Sequence, residues 1–166
     1  MKIKISFVVN DSIVDGPGLR LAIFTQGCFH KCPLCHNPQT HDPSGGTETD
    51  TDKIISLLKN NPLLDGITLS GGEPFLQADE CYDIAQKTHK LGLNVWTYTG
   101  YTYEELINSN NKSFLRLVDE TDVLIDGKFE NTLRSLDIKF RGSKNQRVID
   151  IKKTKHLGSI IELYND

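Results

Sequence analysis

Two periods govern the apolar positions of this chain. Residues 3–9 and 21–25 are short apolar stretches rich in β-branched and aromatic residues, and each reads as a strand. Residues 66–70, 93–97 and 123–126 repeat that signal, and 147–151 and 159–163 are candidate late strands. Between them the spacing turns helical. Asp50 or Thr51 is a plausible N-cap for a helix through about Lys59, with Ile54, Leu57 and Leu58 as its apolar positions. A second helix is expected from about Ala78 to Leu91, stopped by Gly92. Shorter helices are expected over 103–108 and 113–118. Residues 36–49, rich in Pro, Gly, Ser and Thr, read as loop.

Strand alternating with helix predicts βα units, a mainly parallel sheet and the α/β class. The 166 residues suit a single domain, 1–166. They are too few for an eight-fold barrel of about 250 residues. In such folds ligands gather at the carboxyl ends of the strands. The unusual segments fall there. The cysteine-rich loop 26–38 follows the second strand, and residues 68–74 close the next one. Tyr98, Thr99 and Gly100 close a third, and Asp126, Gly127 and Lys128 a fourth. One shared site is the expectation.

Composition narrows the setting. A net charge of -3 gives no overall attraction to nucleic acid. No apolar run approaches the roughly 20 residues a membrane helix needs. The apolar part of the N-terminus is too short for a secretory signal, so a cytoplasmic protein is expected. Clustered cysteines then point to metal or catalysis rather than disulfides. Charge is uneven: residues 42–83 hold nine acidic and two basic residues, and 128–155 hold nine basic and three acidic. These are either two solvated faces or a basic rim for an anionic ligand or an acidic partner surface.

The chemistry is concentrated in Cys28, Cys32 and Cys35, spaced C-x3-C-x2-C with no fourth cysteine nearby. A [4Fe-4S] cluster takes one thiolate per iron. Three thiolates therefore leave one iron open to an outside ligand. A closed zinc site needs four protein ligands, and His30, His36 or His41 are available to complete one. Cys81, in a helical stretch, reads as a packing or exposed thiol. Gly71 and Gly72 lack a Cβ and let the backbone come close to a ligand, and Glu73 is a carboxylate able to accept from an ammonium group. Asp126 and Lys128 lie two apart and share a side wherever the strand is still extended. They form part of a site or a surface ion pair. Asp15 and Arg20 line a site or make a turn. Arg141, Asn145, Gln146 and Arg147 are planar donors suited to a ligand or a partner.

Together these residues carry a resemblance. The triad with Leu34 before its last cysteine, and the run Thr68, Leu69, Ser70, Gly71, Gly72, Glu73, Pro74, resemble the cluster loop and GGE motif of radical S-adenosylmethionine (SAM) enzymes. Asp15-Gly16-Pro17-Gly18, the stretch 122–129, and Arg141-Gly142-Ser143 with Asn145-Gln146-Arg147 resemble the activating proteins of anaerobic (class III) ribonucleoside-triphosphate reductase. The resemblance covers roughly residues 7–151. It implies an incomplete TIM-like (βα) barrel and a [4Fe-4S] cluster on Cys28, Cys32 and Cys35. It implies SAM held by Gly71, Gly72 and Glu73 at its amino group, with Leu34, Cys35 and His36 near the adenine, and Asp126 and Lys128 ordering the ribose or carboxylate. It also implies a one-electron donor such as flavodoxin, and a reaction that leaves a glycyl radical on the large reductase. The competing readings are an activase of another glycyl-radical enzyme such as pyruvate formate-lyase, and a non-catalytic iron–sulfur carrier or zinc module.

Overall fold

The computed structural model describes residues 1–164 and 166. Seven strands form one sheet: β1 (Lys2–Ser12), β2 (Arg20–Thr25), β3 (Thr47–Asp50), β4 (Gly66–Gly71), β5 (Asn94–Tyr98), β6 (Val123–Asp126) and β7 (Arg147–Asp150). Five helices accompany them: α1 (Thr51–Lys59), α2 (Ala78–Lys90), α3 (Tyr103–Ile107), α4 (Lys112–Asp119) and α5 (Ile151–Leu157). The strand order is β3-β1-β2-β4-β5-β6-β7. The pairs β2–β4, β4–β5 and β5–β6 are parallel. β1 is antiparallel to both β2 and β3, and β7 to β6. β3 and β7 are the two edges, so the class is α/β with a parallel centre and antiparallel margins.

Alternation along the strands divides the core in two. Leu21, Ile23, Ile67, Leu69, Val95 and Leu124 face the helices and pack with Ile54, Leu58, Ile84, Leu106 and Leu117. The opposite face carries Trp96, Val123, Ile125 and Val148, against which Tyr98, Phe140 and Tyr164 pack. Helix ends follow local chemistry. Asp50 caps α1 by accepting from the Asp52 amide, and Thr102 with Glu105 makes a reciprocal capping box on α3.

Several expectations are corrected. Leu57 is exposed, and Ile55 takes the buried place beside Ile54 and Leu58. The stretch 36–49 is not all loop: Thr47–Asp50 pairs with Lys2 to Ile5 as a polar edge strand, without the apolar alternation that marks a half-buried one. The strand expected over 147–151 ends at Asp150, which caps α5 through the Lys153 amide. The strand expected over 159–163 is a single bridge between Ile149 and Glu162.

Candidate functional site

Parallel neighbours end together, so the loops leaving β2, β4, β5 and β6 meet on one side of the sheet. They enclose a cavity of about 380 Å³. Cys28, Cys32 and Cys35 line it, facing Ser70, Gly71 and Gly72 from β4, Thr99 and Gly100 from β5, and Gly127 from β6. Asp15, Phe129 and Arg141 close its walls. The triad and the Gly-Gly motif, 35 or more residues apart in sequence, thus share one space.

The cysteine loop is pinned at both margins. Gly27 and Cys28 donate their amides to Thr40 and His41 carbonyls at 2.6 and 3.0 Å. Inside it, Lys31 and Leu34 take left-handed backbone conformations (φ 55° and 58°), which L-residues adopt at a cost. This winding turns three thiols, spread over eight residues, to one cavity. All three are free and partly exposed. Burial pushes the Cys28 thiol up to about 11, opposed by a backbone hydrogen bond at His30, and it raises Cys32 as well. A cysteine nucleophile has its thiol lowered. Cys28 and Cys32 are therefore not activated nucleophiles, and as ligands they would give up the proton only to a bound metal. Among the described residues no three His, Cys, Asp or Glu side chains gather around the place of a single ion.

Gly71 and Gly72 line the cavity and also allow a close approach of backbone to backbone. A Cβ on Gly71 (φ 96°) would stand 2.4 Å from the Thr25 amide nitrogen, and one on Gly72 2.4 Å from the Gly27 carbonyl oxygen. The glycines let β4 lie directly against the backbone leading into the cysteine loop. Gly72 and Glu73 amides then donate to Thr25 and Gly27 carbonyls, both at 2.8 Å.

Glu73 is bonded on all sides by the protein. It is buried, and its partners His30, Thr99 and Gly100 line the cavity. Its carboxylate bonds His30 Nε2 (2.6 Å) and accepts from Thr99 Oγ1 (2.9 and 3.0 Å), the Gly100 amide (2.8 Å) and the Phe75 amide (3.1 Å). Every direction a carboxylate offers is directed at the protein. Glu73 thereby joins the cysteine loop, its own loop and the turn after β5. His30, named from the sequence as a possible zinc ligand, lines the cavity, packs edge-on against Tyr101 and is the partner of Glu73.

Asp126 and Lys128 do not share a strand face. β6 ends at Asp126, and Gly127 (φ 97°) turns the chain, so Lys128 no longer shares a strand face with it. Asp126 is buried and accepts from the Tyr103 amide (2.8 Å) and from Arg147 Nε and Nη2 (3.0 and 2.5 Å). Lys128 is exposed. Leu34 stands 72% exposed at the outside of the loop, while Cys35, His36 and Asn37 line the cavity. Arg20 lies beneath the site, bonded to Thr68 Oγ1, Ile67 O, Asn94 Oδ1 and Pro17 O. Burial lowers its pKa to about 10, so it stays charged at neutral pH.

The late polar segment is mostly structural. Gln146 accepts from the Gly142 and Ser143 amides and donates to Gly127 O, and Asn145 donates to Lys128 O. Arg147 pairs with Asp126 and Glu104. Arg141 lines the cavity and pairs with Asp166. Sequence reasoning did not anticipate Arg134, Ser135 and Leu136, which border the cavity from an irregular stretch with no periodicity to reveal it.

The family described as a 4Fe-4S single cluster domain matches residues 14–149. The anaerobic ribonucleoside-triphosphate reductase-activating protein of Escherichia coli K12 is 37% identical over 145 residues, 82% of this chain and 91% of that one. The protein of the same name from enterobacteria phage T4 is 32% identical over 141 residues, covering 81% and 86%. The pyruvate formate-lyase-activating enzyme of Clostridium pasteurianum is 35% identical over 133 residues, covering 75% of this chain and 55% of that enzyme. Among solved structures, QueE from Escherichia coli aligns over 61% of this chain and 54% of its own, at 14% identity and a TM-score of 0.48.

Proposed function

Because this chain belongs to the family of anaerobic ribonucleoside-triphosphate reductase-activating proteins, we propose that it generates the glycyl radical of such a reductase from SAM at a [4Fe-4S] cluster. The observation that carries the proposal is the cavity itself. Three thiols on one loop face the Gly71–Gly72 backbone across a space at the carboxyl ends of the parallel strands. The donor set fits the cluster: three cysteines of one loop line the cavity, and their thiolates would leave one iron open.

In this reading Cys28, Cys32 and Cys35 hold the cluster, and SAM lies beside it against Gly71, Gly72, Cys35 and His36. When bound, the two supply an electron and a 5′-deoxyadenosyl group that removes hydrogen from a backbone glycine of the partner. The chain's own work is positioning and exclusion of water. Glu73 ties the cysteine loop to the turn after β5, so the two walls keep one spacing. Phe129 and Tyr98 present apolar surface to the cavity. Asp126 acts through Arg147, fixing β7 and the segment that closes the far wall. Lys128 is left as an exposed cation near the opening. The electron comes from a donor such as flavodoxin. The open sheet is read as an incomplete barrel within a single domain, with the cavity on its inner face. A reducing cytoplasm suits such a cluster, and among the described residues no helix is long and apolar enough to cross a membrane.

Span supports the reductase as substrate over pyruvate formate-lyase: the chain covers 91% of the Escherichia coli relative and 55% of the Clostridium enzyme. The test is anaerobic incubation of the reconstituted protein with SAM, a reductant and each candidate partner. A glycyl radical signal on the reductase, formed together with 5′-deoxyadenosine, is the expected result. A radical only on pyruvate formate-lyase, or on neither, would overturn it.

A further inference from the structure

Seven large apolar side chains among the described residues are more than 60% exposed: Ile13, Val14, Phe29, Leu34, Leu63, Leu136 and Leu157. Five of them belong to loops around one opening. Val14 and Leu136 line the cavity, and Ile13 adjoins Val14. Phe29 and Leu34 flank Cys28 and Cys35, which line it too. Apolar surface concentrated in this way, and rimmed by charge, marks an interaction surface. From it we infer that Ile13, Val14, Phe29, Leu34 and Leu136 form the docking rim for the glycine-bearing polypeptide of the reductase. The inference rests on the activase reading.

The occupant follows from size and charge. A cavity of about 380 Å³ admits a small molecule and the tip of a chain, but no folded domain. A partner glycine can reach it only as an extended segment, with the flanking side chains left outside on the rim. The wall segment 128–144 carries Lys128, Arg134, Lys139, Arg141 and Lys144 against Glu130 and Asp137, and of these cations Arg141 is paired with Asp166. The complementary partner therefore presents apolar side chains next to the reacting glycine and an acidic flank beyond them.

The experiment uses the full chain with its cluster reconstituted. Ile13→Ser and Phe29→Ser are combined, because neither side chain lines the cavity, and Leu63→Ser is the remote control. Three quantities are read: iron content, SAM cleavage with a chemical reductant and no partner, and affinity for the reductase by anaerobic sedimentation. The double variant is expected to keep iron and partner-free cleavage and to lose affinity by about tenfold or more, the effect of truncating anchoring apolar contacts. Leu63→Ser is expected to match the wild type. Unchanged affinity in the double variant overturns the docking rim. So does equal loss in Leu63→Ser, or a rim-dependent attachment to anionic phospholipid vesicles with reductase affinity intact. Failure of the wild type itself to cleave SAM would instead sink the activase reading.

Discussion

On one face of the sheet, Ile23, Leu69, Val95 and Leu124 meet helices whose apolar stripes match them. On the other, Trp96 and Tyr98 meet loops, closed over by Phe140 and Tyr164. The core on the helical side is almost wholly apolar. The loop-covered side holds a buried arginine and the three thiols. It also holds Tyr98, whose hydroxyl donates to the Phe140 carbonyl at 2.5 Å and whose ionisation burial strongly opposes. Helices satisfy their own backbone hydrogen bonds. Loops must be pinned side chain by side chain, and the same pinning places reactive groups. Stability is thus expected to reside on one face and chemistry on the other.

Removing a cysteine should break this symmetry most completely. Cys35→Ala is expected to drop radical generation to background. The unfolding free energy of the cluster-free protein should move by no more than about 0.5 kcal/mol, as for other partly exposed sites. A large stability loss without the cluster would contradict the division. Leu69→Ala tests the opposite face: a fully buried leucine there should cost about 2–5 kcal/mol in denaturant unfolding. Tyr98→Phe leaves the Phe140 carbonyl without its donor. It should cost about 1–2 kcal/mol, with faster amide hydrogen exchange confined to residues 129–146. Equal acceleration in α2 would show that the loop cover is not a separate unit.

The smallest effect is electrostatic and lies at the other end of the sheet. His89 Nδ1 and Nε2 bond Glu120 and Asp122, both at 2.7 Å. Desolvation works against its charge, but the two carboxylates outweigh it and raise its pKa. A raised folded-state value stabilises fully below the unfolded value of about 6.5, and the benefit fades as pH rises through the folded value. His89→Gln should therefore cost about 1 kcal/mol near pH 5.5 and progressively less toward alkaline pH. A penalty that grows with pH would reverse the assignment.

The same contrast explains what was legible beforehand. The parallel centre, α1, α2 and the convergence of motifs at strand ends followed from apolar period, caps and βα alternation. β3 escaped because Thr47 to Asp50 has no apolar alternation, and α5 because its basic run hides Ile151 and Leu157. At the site, residue types were readable but directions were not. Glu73 was a free acceptor until His30, Thr99 and Gly100 were seen around it. Asp126 and Lys128 were partners only until Gly127 turned the chain between them. Contacts such as Tyr98 to Phe140 join residues 42 apart through irregular backbone, where no period exists to announce them.

The most direct measurement is electron paramagnetic resonance of the reduced, anaerobically reconstituted protein, with and without SAM. A [4Fe-4S]+ signal that changes when SAM is added, and disappears in Cys35→Ala, is the predicted result. A cluster signal indifferent to SAM, or tightly bound zinc with no cluster at all, would contradict the site.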